Sequence, residues 1–364
     1  MKYFLTLIQL WVGFLSICAS YPKANIWIIP SVESPQVYRN YAQTSKVHLE
    51  MARGEVEHIQ LVFPSKVNEE YRFTFDRNLK GIQISARELK KMNGYYDALV
   101  PFKNQLKCTD TLTAVWITVQ CPSRVPVGKY HQTIKIEGSK HFTIQLDYNV
   151  HHTTIPLKSS IPITVGVENR CMTECLNDKE ADKERQRWVD FVLSYRMTPV
   201  FGTQITPERW QYEHSFSPWA WNDKRSIRLL NDRRYSCYML PFFTLSENEL
   251  ASLLCNIQKK GKLKESLFYI WDEPAYMEDY EQIKRKVNII RKYASDARIL
   301  TTFFCGPRNG PRKGDLYAVF DYLKHHIHVA TISLAPCKGN EEEVQHIRYK
   351  VPEGIDWWSY VCWQ

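Results

Sequence analysis

Residues 267–274 read Leu-Phe-Tyr-Ile-Trp-Asp-Glu-Pro, a short apolar run that ends in two adjacent acidic residues and a proline. A nearly continuous apolar run of this length is typical of a strand buried on both faces of a parallel sheet. On either side of it, apolar side chains recur at helical spacing, over residues 246–261 and 276–292. A strand between two helices predicts α/β architecture for this part of the chain.

Both flanking helices carry signals at their ends. Ser246 and Glu249 form a capping-box pattern, and Gly261 stands where that helix should end. The second helix has acidic residues at 278–279 and basic residues at 291–292, which suits the helix dipole.

Strand and helix patterns alternate through the rest of the C-terminal half. The predicted strands are 161–167, 199–201, 238–242, 267–271, 298–304, 327–333 and 357–363. Parallel strands joined by helices in this way predict a (β/α)8-type barrel with about seven β units, incomplete at its C terminus. The 204 residues from 161 onward are also fewer than the about 250 of a typical barrel.

Residues 26–150 show a different pattern, with short strands and turns but no helix. Phe142, Ile144, Leu146 and Tyr148 alternate with polar residues, the period of two that a half-buried strand has. Six or seven such strands predict an N-terminal β-sandwich. We therefore expect a signal peptide at 1–20, a β-sandwich domain at 21–155 and a barrel domain of catalytic type at 156–364.

Composition restricts the classes of protein. The 364 residues are 44% hydrophobic and 24% charged, which excludes collagen-like, coiled-coil and wholly disordered chains. Lys2, an apolar run to Leu15 and small residues at 18–20 predict secretion. No later stretch is long enough to predict a stable membrane span. The net charge of +9 is not concentrated enough to predict nucleic-acid binding.

Ten cysteines in a chain expected to be secreted raise the question of disulfides. Cys171 and Cys175 lie close enough in sequence to form a local bridge. Cys108 and Cys121 flank a predicted strand whose extension should hold them apart.

The strongest candidate site is Asp272-Glu273, at the end of a predicted strand. Active sites of barrels lie at the carboxyl ends of the strands. Two adjacent carboxyls there are costly if desolvated, and glycoside cleavage needs a carboxylic acid to protonate the leaving oxygen. The alternative is structural: Asp272 caps the next helix and Glu273 pairs with a basic residue.

The last predicted strand favours one mechanism. It contains no Glu after Trp358, so a nucleophilic carboxylate is not visible there. The remaining route is substrate assistance, in which the sugar's own 2-acetamido group attacks the anomeric carbon. Trp358 and Tyr360 have the spacing to face one side, as sugar-binding walls or as core. Trp271 and Arg196 are further candidate substrate-binding residues, although a salt bridge is the favoured use of Arg196.

Three segments together resemble glycoside hydrolase family 123 and its uncharacterised relatives. Residues 269–274 look like the catalytic segment, 51–61 like an N-terminal sandwich signature and 357–362 like a late barrel strand. The resemblance implies an exo-acting N-acetyl-β-galactosaminidase, with Asp272 stabilising an oxazolinium-like intermediate and Glu273 as acid/base. The relatives continue past this last strand, so the resemblance also implies that the chain is truncated.

Two hypotheses follow. The first is a secreted glycosidase that removes terminal β-linked N-acetylhexosamine from a glycan, without cofactor or metal. The second is a non-catalytic carbohydrate-binding or surface-interaction protein derived from such an enzyme by truncation. His325, His326 and His328 suggest a metal, but they precede a strand, at the end of a barrel that carries no active site. The basic loop 306–314 lacks the Gly-Lys-Ser/Thr sequence of a phosphate loop.

Overall fold

The computed structural model describes residues 25–76, 79–168, 170–206, 209–216, 220–334, 342, 346, 348–349 and 351–360. The chain divides into two compact units, of which the first ends at Pro156 and the second begins at Leu157. The predicted signal peptide lies outside the described residues.

The N-terminal unit contains two five-stranded sheets, ordered β1-β3-β8-β5-β6 and β2-β10-β9-β4-β7. Every pairing in them is antiparallel except that of β2 with β10. A 3-10 helix at Pro35–Asn40 follows the first strand. The strands are β1 Trp27–Pro30, β2 Lys46–Arg53, β3 Val56–Pro64, β4 Glu70–Phe75, β5 Gln83–Met92, β6 Tyr95–Pro101, β7 Gln105–Lys107, β8 Leu112–Gln120, β9 Gly128–Glu137 and β10 His141–Thr154.

The two sheets share one apolar core and so form a sandwich. Ile59, Leu61 and Ile117 of one sheet join Ile134 and Ile144 of the other in a single buried cluster. Alternate residues of β10, from Phe142 to Val150, are buried, as the period-two pattern requires.

The C-terminal unit contains both strands and helices, and in most of its described part a helix separates one strand from the next. Its strands are β11 Thr164–Val167, β12 Thr198–Thr206, β13 Arg209–His214, β14 Tyr238–Met239, β15 Ser266–Trp271, β16 Arg298–Phe303, β17 Val329–Ser333 and β18 Asp356–Tyr360. Its helices are α1 Arg170–Cys175, α2 Asp178–Ser194, α3 Lys224–Leu230, α4 Glu247–Lys259, α5 Met277–Tyr293 and α6 Leu316–Leu323, with a 3-10 turn at Leu263–Glu265. Residues 361–363 of the last predicted strand lie outside the described part.

The predicted (β/α)8-type barrel is wrong. The described strands form a three-stranded sheet, β11-β12-β13, and a five-stranded parallel sheet, β14-β15-β16-β17-β18, which together make only a half-barrel. The physical reason lies after β12, where the chain returns directly as the antiparallel strand β13 instead of crossing over through a helix. Further along, β14 pairs with β15 through only two residues. Such short and reversed strands do not make the continuous parallel ladder that barrel closure requires.

The five-stranded sheet has two different faces. Its inner face carries a small cluster of Val200, Cys237, Met239, Leu267, Leu300 and Val329, which we call the inner cluster. Its outer face packs against the helices in a large core that includes Phe268, Ile270, Leu253 and Ile283, which we call the helix-layer core. Among the described residues, no helix has both the length and the apolar character needed to cross a membrane.

Cys108 and Cys121 do not form a disulfide, as the predicted strand between them indicated. Cys108 and Cys121 are both buried free thiols at either end of β8. Cys175 is an exposed free thiol, so the predicted bridge between Cys171 and Cys175 is wrong.

Candidate functional site

Strand β15 brings the acidic pair to the carboxyl edge of the parallel sheet. Leu267 and Tyr269 face the inner cluster, whereas Phe268 and Ile270 enter the helix-layer core. The register then shifts, because Tyr269 pairs with Leu300 and Trp271 with Thr301. Asp272 and Glu273 follow this irregularity, and both are exposed. The desolvation expected at this strand end is therefore not imposed on either carboxylate.

Two hydroxyl groups converge on one oxygen of Asp272. Tyr269 donates to Oδ1 over 2.5 Å, and Thr302 of the neighbouring strand β16 donates to the same atom over 2.8 Å. Burial, and then the charge of Asp272, raise the pKa of Tyr269 well above its usual value. The phenol therefore remains a hydrogen-bond donor at neutral pH and stabilises negative charge on Asp272.

Glu273 is held in a different way. Its φ of +44° lies in the left-handed region, which residues with a Cβ rarely occupy. Its backbone N–H donates to Thr302 Oγ1 over 2.9 Å, and its Oε1 accepts a hydrogen bond from Tyr360 of β18. Burial, followed by the contact with Glu273, raises the pKa of Tyr360, so this phenol too is a donor.

The structural alternative for the acidic pair does not fit these contacts. The cap of α5 comes from Asp279, which accepts from the N–H groups of Ala275 and Tyr276, and from Asn309, which accepts from Met277. Asp272 is therefore not the cap. Among the ion pairs of the described residues, none involves Glu273.

Trp358 and Tyr360 lie two residues apart on β18, and both face the inner side. Trp358 packs against the inner cluster opposite Thr331, and Tyr360 pairs in register with Ser333. Of the predicted residues, the structure thus brings Tyr360 into direct contact with Glu273, beside Asp272, with Trp358 on the same face two residues before Tyr360.

Trp271 and Arg196 are not placed with the acidic pair. Trp271 is half-buried against the helix-layer core, and Lys286 Nζ of α5 lies 5.6 Å from its ring centre. Arg196 occupies the turn before β12, with a φ of +61°. Thr198, two residues later, contacts the carbonyl of Cys237 just before β14, which places this turn at the amino edge of the strands.

Sequence reasoning missed Tyr269 and Thr302. A tyrosine in an otherwise apolar strand is itself a signal, because a buried phenol needs a hydrogen-bond partner. Thr302 has no comparable signal, since its importance depends on which strand lies beside β15.

The basic loop 306–314 packs against the segment that follows the acidic pair. Arg308 N–H donates to the carbonyl of Ala275 over 2.7 Å, and the Asn309 amide contacts Glu278. Gly310 has a φ of +77°, and a Cβ there would lie 2.5 Å from Met277 Cγ, so the loop can approach this closely only with glycine.

The three histidines at 325–328 lie at the amino end of β17, away from the acidic pair. His328 Nδ1 accepts from Ile299 N–H over 3.2 Å, and burial lowers the pKa of both His326 and His328. Within the described residues, no group of three or more His, Cys, Asp or Glu side chains is arranged to hold a metal ion.

Comparison with solved structures finds a similar fold in a family 123 glycoside hydrolase from Clostridium perfringens, described for glycolipid glycan hydrolysis. The TM-score is 0.59 at 12% identity, over 93% of this chain and 72% of that one. An identity this low shows similarity of fold alone.

Other glycoside hydrolases match much less well. A family 2 member from Bacteroides cellulosilyticus has a TM-score of 0.29 at 9% identity, over 85% of this chain and 44% of that one. A similarity at that level carries no argument about this chain. No family model and no curated protein matches the sequence.

Proposed function

We propose that this protein is a secreted glycoside hydrolase that removes terminal β-linked N-acetylhexosamine, most of all N-acetylgalactosamine, from glycans. The observation that carries the proposal is the difference in how the two adjacent carboxylates are held. Hydroxyl donors from two strands converge on Asp272, whereas Glu273 is contacted by a single phenol from a third strand. The fold shared with a family 123 enzyme supports the same assignment.

The two environments suit two roles in substrate-assisted catalysis. In the first step the 2-acetamido oxygen attacks the anomeric carbon, the glycosidic bond breaks, and Glu273 gives its proton to the leaving oxygen. Asp272, fixed through Oδ1, accepts the acetamido N–H and stabilises the cationic ring. In the second step Glu273 takes a proton from water, which attacks the same carbon and restores the acetamide with retained configuration.

The exposure of both carboxylates is compatible with this chemistry. A sugar ring bound over the acidic pair would cover them and exclude water, which strengthens every electrostatic interaction in the site. Trp358, on the same sheet face, offers an aromatic surface of the kind on which ligand rings pack.

The first prediction concerns the reaction itself. Aryl N-acetyl-β-galactosaminides should be hydrolysed, and the matching 2-hydroxy galactosides should be nearly inert because they lack the internal nucleophile. Glu273→Gln and Asp272→Asn should each lower kcat by about 10²-fold or more, the scale of a lost acid or base. Glu281→Gln, on the surface of α5, is the control and should leave kcat unchanged.

Three results would contradict the proposal. These are equal turnover of 2-hydroxy and 2-acetamido substrates, a covalent glycosyl adduct on any carboxylate, and full activity of Glu273→Gln. Tight binding of N-acetylhexosaminyl glycans without hydrolysis would favour the non-catalytic binding protein instead.

A further inference from the structure

A single hydroxyl group on β16 links the parts of the acidic pair. Thr302 Oγ1 lies 2.8 Å from Asp272 Oδ1, 2.9 Å from the Glu273 backbone nitrogen and 3.0 Å from Tyr269 Oη. The hydroxyl has one proton and accepts through its lone pairs. It therefore accepts from the Glu273 N–H and donates to Asp272, to which Tyr269 also donates.

These contacts act on a strained part of the backbone. Glu273 has a φ of +44°, a conformation that persists only where the surroundings hold it. Thr302 Oγ1 accepts from the Glu273 N–H and donates to the side chain of Asp272. The torsion angles between the Asp272 carboxylate and the Glu273 N–H determine the directions in which the two side chains point. Because Thr302 binds both groups, its hydroxyl constrains both directions.

Thr302 is well placed for such a role and poorly placed for contact with substrate. It is 6% exposed, and it is the fifth of the six residues of β16, where it pairs with Thr331 of β17, so its own position is fixed by the sheet. Asp272 and Glu273 are exposed just beyond it.

We propose that Thr302 is a positioning residue that holds the Asp272-Glu273 segment, with Glu273 in its left-handed conformation, and aims both carboxylates at the substrate. The aiming of the carboxylates rests on the proposed function; the holding of the segment does not.

The test compares three variants. Thr302→Val keeps the shape of the side chain and loses the hydroxyl, whereas Thr302→Ser keeps the hydroxyl and loses the methyl group. Thr301→Val is the matched control, because Thr301 is the adjacent buried threonine of β16 and its hydroxyl has no hydrogen-bond partner among the described residues.

Two measurements are made on the full-length protein. The first is kcat and KM on an aryl N-acetyl-β-galactosaminide. Thr302→Val should lower kcat by on the order of 10²-fold with a smaller change in KM, as a misplaced catalytic group does. Thr302→Ser should recover most of that loss. The second is hydrogen exchange of the Glu273 backbone amide. Exchange should be faster than in the wild type in Thr302→Val, and unchanged in Thr302→Ser and Thr301→Val.

The outcomes separate the two proposals. If the wild type hydrolyses no glycoside but Thr302→Val alone exposes the Glu273 amide to exchange, the proposed function fails and the holding of the segment stands. If Thr302→Val keeps wild-type kcat and amide protection, the positioning role is overturned. A loss in Thr302→Ser as large as in Thr302→Val would also overturn it, because the methyl group and not the hydroxyl would then matter.

Discussion

Tyr360 reaches Glu273 from a strand 87 residues further along the chain. The contact joins β15 and β18, which are not neighbours in the sheet. A hydrogen bond to a charged group contributes roughly 1.5–3 kcal/mol to the stability of the folded arrangement. Among the described residues, this phenol makes the one side-chain hydrogen bond to the Glu273 carboxylate.

We expect Tyr360→Phe to lower kcat by roughly 10- to 100-fold, since each 1.36 kcal/mol corresponds to about a factor of ten in rate. The substitution keeps the aromatic ring and removes only the hydroxyl that holds Glu273 Oε1. Steady-state kinetics on the aryl substrate measure the effect, and Tyr95→Phe, at a position 77% exposed, is the control. An unchanged kcat would show that this contact does not orient the acid.

At the scale of elements, the helices before and after β15 both begin at residues whose backbone N–H groups are capped by nearby side chains. The Ser246 hydroxyl accepts from Glu249 N–H over 3.4 Å, and Glu249 accepts in return from Ser246 N–H over 2.8 Å. One face of α4 then buries Leu250, Leu253 and Ile257 in the helix-layer core.

Ser246→Ala should lower the free energy of unfolding by about 1 kcal/mol, the usual effect of a lost N-cap. Denaturant unfolding monitored by circular dichroism measures this. Ser252→Ala in the middle of the same helix should be neutral or slightly stabilising, because alanine has the highest helix propensity. If Ser246→Ala and Ser252→Ala changed the free energy of unfolding equally, the Ser246 cap would make no contribution of its own to stability.

The loop 306–314 contacts the segment that follows the acidic pair. It supplies Asn309 as a cap for α5 and packs Gly310 on Met277. Its backbone contact with Ala275 shows that the loop packs on the segment between β15 and α5.

At the scale of the whole molecule, the two units have separate cores that share no residue. Each unit has its own buried apolar cluster, and burial of apolar surface is the dominant favourable term in folding. A change in one core is therefore expected to act first on the unit that contains it.

Leu61→Ala should destabilise the N-terminal unit by about 2–5 kcal/mol, the range for a leucine deleted from a packed core. Leu61 is completely buried between the two sheets. Hydrogen exchange should become faster in β8 before it changes in β16. Val32→Ala, at a position 90% exposed, should change neither. Equal loss of protection in both units would contradict separate cores.

The elements around the site were predictable because their signals are local. The helices α4 and α5 begin and end close to the predicted positions, and β15 runs directly into Asp272 and Glu273 as expected. Side-chain spacing, capping residues and apolar runs act over a few residues, so a single sequence shows them. The position of Asp272 and Glu273 at the end of a strand was likewise predictable, whereas their role stays a prediction.

What the sequence alone could not decide was set by contacts between distant segments. The return of β13 beside β12 leaves a half-barrel in place of the expected barrel. The register shift at the end of β15 accompanies the packing of Trp271 against the helices, and the turn at Arg196 lies at the other edge of the strands. Thr302 and Tyr360 became partners of the acidic pair because β16 and β18 pair into the same sheet. Such pairing depends on burial and hydrogen bonding summed over the whole fold, which no local stretch of sequence contains.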